Sequence, residues 1–274
     1  MKARSAPPTT RELLKLRIDL AYDGTPFRGF ARQRDAPTVQ GKLEEALTRV
    51  LRREVDNTTA AGRTDAGVHA LAQVVTVPDA PEEVDLVRLK HALNATCAPA
   101  IAITDVAAVD DSFDARFSAR SRTYVYCILV SETPDPFLAR TTLRHQAPLD
   151  VAAMEEGAGH LVGHHDFSSF GRVPEGASAE RTLYELSLAQ QGSLLRIKVR
   201  ANAFIQQMVR SLVGTLVHVG EGKRTPGTMA GVLEARDRSA AGPVAPPHGL
   251  CLVAVEYDEG WSRPFDPLAP PGTS

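Results

Sequence analysis

Residues 60–70 read A-A-G-R-T-D-A-G-V-H-A. Arg63, Thr64 and Asp65 stand there between Gly62 and the pair Ala66-Gly67, in a frame of small residues. Such a frame lets a backbone bend tightly and lets another backbone approach closely. A guanidinium and a carboxylate therefore project from it side by side. An opposite charge within a few ångströms favours the ionised form of a carboxylate, and an ionised aspartate serves as a nucleophile or as a general base. Nowhere else does the chain concentrate as much chemistry. The same string also suits a structural turn in which Asp65 bonds the backbone, so the residues alone leave both readings open.

Other groupings compete for attention. Gly163-His164-His165-Asp166-Phe167 has metal-ligating residue types, which would suit a metal-dependent hydrolase. Three consecutive side chains rarely converge on one ion, however, and no second His/Asp/Glu cluster has ligand spacing; a packed turn is expected instead. Phosphate-cradle chemistry would need G-x-x-x-x-G-K-[ST], and aspartic-protease chemistry two aspartates in D-[ST]-G settings; the chain has neither. The stretch F-D-A-R-F-S-A-R-S-R-T-Y (113–124) interleaves Arg116, Arg120 and Arg122 with aromatics. Aromatics stack bases and arginines hold phosphates in single-stranded RNA recognition; the alternative is a core edge with solvated arginines. Arg210 sits among Phe204, Ile205, Met208, Val209, Leu212, Val213 and Leu216. A buried arginine needs an anion, so a carboxylate partner is expected for it.

With 274 residues, 43% hydrophobic and 23% charged, the chain has the composition of a soluble globular enzyme with a sizeable core. No apolar run approaches the roughly 18 residues that span a bilayer. The first twelve residues lack the apolar core of a signal peptide and read as a mobile polar arm. Cys97, Cys127 and Cys251 are odd in number and widely spaced, as in reduced, buried cysteines of a cytosolic protein rather than disulfides or a zinc site. A net charge of −2 argues against a nucleic-acid partner until its distribution is considered. Residues 1–64 hold 13 Lys/Arg against 8 Asp/Glu, and residues 196–238 hold 8 against 3. The acids gather at 78–114, with 8 against 2 bases. Charge segregated in this way can give a nearly neutral protein one positive face, which is the part that phosphates feel.

These groups need elements to position them. Leu14, Leu16, Ile18 and Leu20 alternate with polar residues, the period of a half-buried strand, and Tyr22–Pro26 turns the chain. Thr38 caps a helix to about Arg53, and the 60–70 segment leads into a strand at 71–77. A helix is expected over 85–95 and a strand over 101–109. The second half repeats the theme, with a strand at 121–130 and a helix from Asp150 to about Leu161. Strands at 182–189 and 194–201 precede a long helix over 203–219 that Gly220 and Gly222 close. A helix over 226–236 and a last strand at 249–257 complete the pattern. Strands joined partly by hairpins and partly by helices make an α+β protein, with two similar subdomains meeting through a shared sheet and a cleft between them.

Seven stretches together resemble the tRNA pseudouridine synthases of the A type along nearly the whole chain. They are Y-D-G-T-P-F-R-G-F (22–30), T-V-Q-G-K-L-E-E-A-L (38–47), A-G-R-T-D-A-G-V-H-A (61–70), F-D-A-R-F-S-A-R-S-R-T-Y-V-Y (113–126), H-D-F-S-S-F (165–170), A-N-A-F-I-Q-Q-M-V-R-S-L-V-G-T-L (201–216) and A-R-D-R-S-A-A-G-P-V-A-P-P-H-G-L (235–250). The chain departs from the pattern at Phe30, where tryptophan is usual, and at Ala31, where glutamine is. Gln206 and Gln207 replace a common histidine pair, and Cys251 replaces a tyrosine. The resemblance implies the pseudouridine synthase fold, two ferredoxin-like subdomains sharing a mixed, mainly antiparallel sheet. The boundaries expected are 1–12 for the arm, 13–112 and 113–260 for the subdomains, and 261–274 for a tail. It also implies isomerisation of uridine to pseudouridine at positions 38, 39 and 40 of the tRNA anticodon arm, without cofactor or metal, by a cytoplasmic homodimer whose subunits build the tRNA surface together. Asp65 matches the family's catalytic aspartate and Tyr124 its substrate-contacting tyrosine, placed to stack on an extruded base. Arg210 matches the arginine that pairs with the carboxylate, and Leu250 an apolar residue lining the uracil pocket. Arg63 is the competing partner for Asp65, or else a phosphate contact or an aid in opening the stem. An RNA-binding module without catalysis would lack the Asp65, Tyr124 and Arg210 set that this chain retains.

Overall fold

The computed structural model describes residues 13–258 and 260–261. The arm expected over 1–12 and, apart from Trp261, the tail expected over 261–274 lie outside them. In chain order the elements are β1 (Leu13–Tyr22), α1 (Val39–Leu51), β2 (Thr59–Ala60), β3 (His69–Pro81), α2 (Leu86–Cys97), β4 (Ile101–Val109), β5 (Ser121–Val130) and β6 (Leu143–His145). They continue with α3 (Val151–Gly159), β7 (Gly163–Asp166), β8 (Glu180–Gln191), β9 (Leu194–Ala201), α4 (Met208–Gly220), α5 (Thr228–Ala235), β10 (Leu250–Tyr257) and β11 (Gly260–Trp261). The alternation in β1 is that of a strand with one face in the core: Leu16, Ile18 and Leu20 are fully buried. Arg17 and Asp19 share the other face, where they form an ion pair at 2.7 Å.

The strands make one sheet in the order β4-β1-β3-β10-β5-β9-β8-β7, with β2 beside β3, β6 beside β5 and β11 beside β10. Every pairing is antiparallel except β3 with β10 and β5 with β6. The protein is α+β, as the pattern of elements predicts, with the mixed, mainly antiparallel sheet that the resemblance implies. Its centre depends on β10, which arrives from the far end of the chain. Cys251 pairs with His69 on one side, and Leu250, Cys251 and Leu252 pair with Tyr126, Val125 and Tyr124 on the other. The start of β3, the middle of β5 and the start of β10 are thereby drawn together.

Three helix starts follow from side-chain caps: Thr38, Asp85 and Asp150 accept from the backbone N–H groups of Gly41, Arg88 and Ala153. Two expectations need correction. The long helix expected over 203–219 begins only at Met208. Arg172 and Gln206 exchange backbone hydrogen bonds at 3.1 and 3.2 Å, so Gln206 is held as a bridge partner, and Gln207 has the left-handed φ of 65°. An apolar run therefore starts as an extended wall and only then coils. The second correction concerns Gly163–Asp166, which is the short edge strand β7 paired with β8 rather than a packed turn. Successive strand side chains point to opposite faces, so His164 and His165 diverge. His164 Nδ1 lies 3.1 Å from Thr182 Oγ1, and His165 Nε2 lies 3.2 Å from the Val162 carbonyl.

Candidate functional site

The segment 61–68 runs between β2 and β3 and is held at almost every step. The Ala61 N–H donates to the Val74 carbonyl at 2.9 Å. Gln73, fully buried in the mainly apolar strand β3, donates through Nε2 to the Gly62 carbonyl at 2.7 Å. The hydroxyls of Thr64 and Tyr22 are 2.8 Å apart, and the Thr64 carbonyl accepts from the Phe30 N–H at 3.0 Å. The Val68 N–H closes the turn on the Asp65 carbonyl at 3.1 Å. Gly67, with φ of 79°, is where the turn requires glycine, because an L side chain is strained there. Gly62 does not need that freedom, although the sequence suggests it equally.

Asp65 projects from this frame toward α4. Its Oδ2 lies 2.8 Å from Arg210 Nη1, and the two side chains are 26% and 13% exposed. Arg210 is fixed in turn. Its Nε donates to the Ala245 carbonyl at 2.7 Å, and its own carbonyl accepts from the Ala245 N–H at 3.0 Å. The segment carrying Ala245 can lie this close to α4 because residue 214 is glycine: a Cβ there would stand 1.8 Å from the Pro243 carbonyl oxygen. Gly214→Ala is expected to force the two apart. The overpacking outweighs the better helix propensity of alanine, for a net loss of about 2 kcal/mol. Thermal unfolding checks this as a fall in Tm of about 4–8 °C. Arg63, by contrast, is exposed on the cleft wall. No ion pair joins it to Asp65 among the described residues.

Tyr124 and Leu250 reach the same place from the paired strands β5 and β10. Tyr124 is 7% exposed and meets Phe204 edge to face at 5.2 Å. Burial pushes its phenol well above the usual range, so its hydroxyl stays protonated at neutral pH. Most of the ring is spent on packing, so a base would meet only the small part facing the cleft. Leu250 is 5% exposed and opens β10.

The three arginines between the aromatics of 113–124 divide among different tasks. Arg120 turns away to an exposed ion pair with Asp258 at 2.7 Å. Arg122 is 7% exposed and donates only to main-chain carbonyls, those of Ala61, Arg116, Ala119 and Asn202. Burial lowers its pKa. It acts as an internal clamp joining the strand that leads into Asp65 to β5 and to the end of β9, rather than as a phosphate grip. Arg116 stays at the cleft, its guanidinium 5.3 Å from the Phe117 ring.

These residues line one open cleft of about 1350 Å³. Among the described residues seven arginines line it, namely Arg28, Arg63, Arg116, Arg122, Arg172, Arg181 and Arg210, against one carboxylate, that of Asp65. A hollow lined in this way concentrates polyanions. No local pattern marks Arg28, Arg172 and Arg181 as belonging together, because they lie on three separate loops or strand ends. Gln73 did carry a signal, as the one amide in A-L-A-Q-V-V-T-V. Among the described residues no group of three or more His, Cys, Asp or Glu is placed to hold a metal ion, and no helix is long and apolar enough to cross a membrane.

The sequence has counterparts among known proteins. A family model described as tRNA pseudouridine synthase matches residues 20–118 and 158–258. A protein of Frankia casuarinae named tRNA pseudouridine synthase A is 48% identical over 252 residues, covering 90% of this chain and 91% of that one. Proteins of the same name from Dinoroseobacter shibae and Rhizobium meliloti are 45% and 43% identical. They cover 91% and 89% of this chain and 98% and 99% of their own lengths. Agreement over both halves, through the Asp65 loop and the Arg210 helix alike, means that the chain belongs to the tRNA pseudouridine synthase family, isomerases that convert uridine to pseudouridine in tRNA.

Proposed function

We propose that this protein isomerises uridine to pseudouridine in the anticodon stem-loop of tRNA, at positions 38, 39 and 40, with Asp65 as the catalytic carboxylate and no cofactor. One observation carries the reading: the single carboxylate that the described residues place in an arginine-lined cleft is held at 2.8 Å by a guanidinium that is itself fixed. The reaction breaks the glycosidic bond at N1, turns the uracil and joins C5 to the same ribose carbon. Nothing leaves except the proton on C5, so one positioned carboxylate meets the demand as nucleophile or base.

A target inside a stem must leave the stack, at a cost of a few kcal/mol. Tyr124 and Leu250 form the apolar floor and wall against which the freed uracil lies. Arg210 aims Asp65. Arg63, exposed beside it, contacts the backbone or helps open the stem. A cytoplasmic homodimer whose subunits share the tRNA is part of the same proposal.

Pseudouridine mapping by mass spectrometry in tRNA treated with the protein, with release of the uridine H5 to solvent, tests the reaction. Product at other positions only would overturn the site assignment, and loss of turnover in a chelator would overturn the cofactor-free mechanism. Affinity for tRNA is expected to fall roughly 100-fold between about 50 and 200 mM salt, since arginines displacing counterions from about five phosphates give a steep dependence. A flat titration would contradict the role of the cleft arginines.

A further inference from the structure

Phe117 is 79% exposed although it lines the same cleft as Asp65. Water is a poor neighbour for a phenyl ring, yet the turn that carries it is fixed at the cleft by hydrogen bonds of its own. The Asp114 carboxylate accepts from the N–H groups of Arg116 and Phe117 at 2.8 and 2.9 Å. The Ser118 N–H donates to the Asp114 carbonyl at 2.9 Å, and the Asp114 N–H donates to Ser118 Oγ at 3.0 Å. The carbonyl of Arg116 is held by Arg122, the same buried guanidinium that grips the Ala61 carbonyl at the entry to the Asp65 loop. A rigid turn thus displays an apolar ring at the rim of a cationic cleft, and one clamp ties it to the loop bearing the carboxylate. The Arg116 guanidinium against the ring adds a cation at its side.

We propose that Phe117 is a stacking wedge: its ring takes the stacking place in the RNA helix that the target uridine leaves, with Arg116 on the neighbouring phosphate. This rests on the reading of the cleft as a pseudouridine-forming site. An RNA base is the occupant that fits. It offers a π-face to an exposed ring, base–aromatic stacks form with any sequence, and the arginines around the ring call for a polyanion. Phe117 is then a positioning residue, which holds the helix open and does not touch the reacting bond.

The experiment compares two versions of one tRNA stem-loop, with the target uridine either paired or facing a mismatch that leaves it unstacked. On the paired substrate Phe117→Ala is expected to lower kcat/KM roughly 10- to 100-fold, the scale of one stack. On the mismatched substrate the loss stays within about threefold. Phe117→Trp keeps near-native turnover on both, and the melting temperature of each variant stays that of the parent because the ring is exposed. Equal losses on the two substrates, or no loss on either, overturn the wedge. Wild-type turnover on the mismatched substrate tests the underlying reading separately: where it is absent, that reading falls and the wedge falls with it.

Discussion

Asp65→Ala is expected to abolish pseudouridine formation, by at least about 10⁴-fold in kcat, while tRNA binding stays within a few fold. The two halves of this expectation have different sources. Turnover collapses because Asp65 is the one carboxylate that the described residues place on the cleft, and none other among them stands ready to act as nucleophile or base. Losses of this size are typical when the reacting group itself is removed. Binding survives because the attraction to phosphates comes from the arginines, and removing a negative charge from among them weakens nothing. Asp65→Asn, close to the same shape but without the charge, should behave in the same way. The fold should tolerate both, since the frame around residue 65 is held by Gln73, Tyr22, Thr64 and the backbone of Phe30 rather than by the carboxylate. Single-turnover kinetics and a binding isotherm on one tRNA check both halves. Residual turnover near the parent rate would remove Asp65 from the mechanism.

The site was unevenly legible in the sequence, for physical reasons. The Asp65 loop shows itself because it is local: small residues, an acid and a base within eleven positions leave a visible string. The strands show themselves because one buried face imposes a two-residue period, as Leu16, Ile18 and Leu20 do in β1. Two kinds of information do not survive in local pattern. One is competition for backbone groups. The run beginning at Ala203 has the apolar content of a helix, but Arg172 claims the N–H and carbonyl of Gln206, and nothing near Gln206 announces that claim. The other is the direction of a charged side chain. Arg116, Arg120 and Arg122 are alike in sequence, yet Arg116 lies against the Phe117 ring at the cleft, Arg120 pairs with Asp258, and Arg122 is buried in the cleft wall against carbonyls. Composition cannot separate them, because Arg120 and Arg122 each take a partner 61 or more positions away, Asp258 for the one and Ala61 and Asn202 for the other. The Arg210–Asp65 contact, across 145 positions, is of the same long-range kind. The apolar surroundings of Arg210 show only that it needs an anion, and the family pattern supplies which one.

Arg210→Ala is expected to lower kcat about 100-fold or more and to change tRNA affinity little. Arg210 spends its charge inside the protein: Nη1 on Asp65 and Nε on the Ala245 carbonyl leave it a strut more than a phosphate ligand. Without it, Asp65 is free to rotate away from the reacting carbon, and misplacement by about 1 Å costs roughly 100-fold in a positioned reaction. The Ala245 carbonyl also loses its side-chain donor, which adds about 1 kcal/mol of destabilisation. Arg210→Lys separates charge from geometry. A lysine supplies the cation but not a planar fork that bonds two oxygens at once, so it should restore part of the lost kcat and leave KM unchanged. Full rescue by lysine would mean that charge alone matters. A rise in KM or Kd with kcat intact, in either variant, would mean instead that Arg210 releases Asp65 to grip a phosphate once tRNA is bound. The arrangement of the free protein argues against that outcome. Freeing the guanidinium would break an ion pair and a main-chain hydrogen bond together, in a cleft whose other arginines have no carboxylate partner among the described residues.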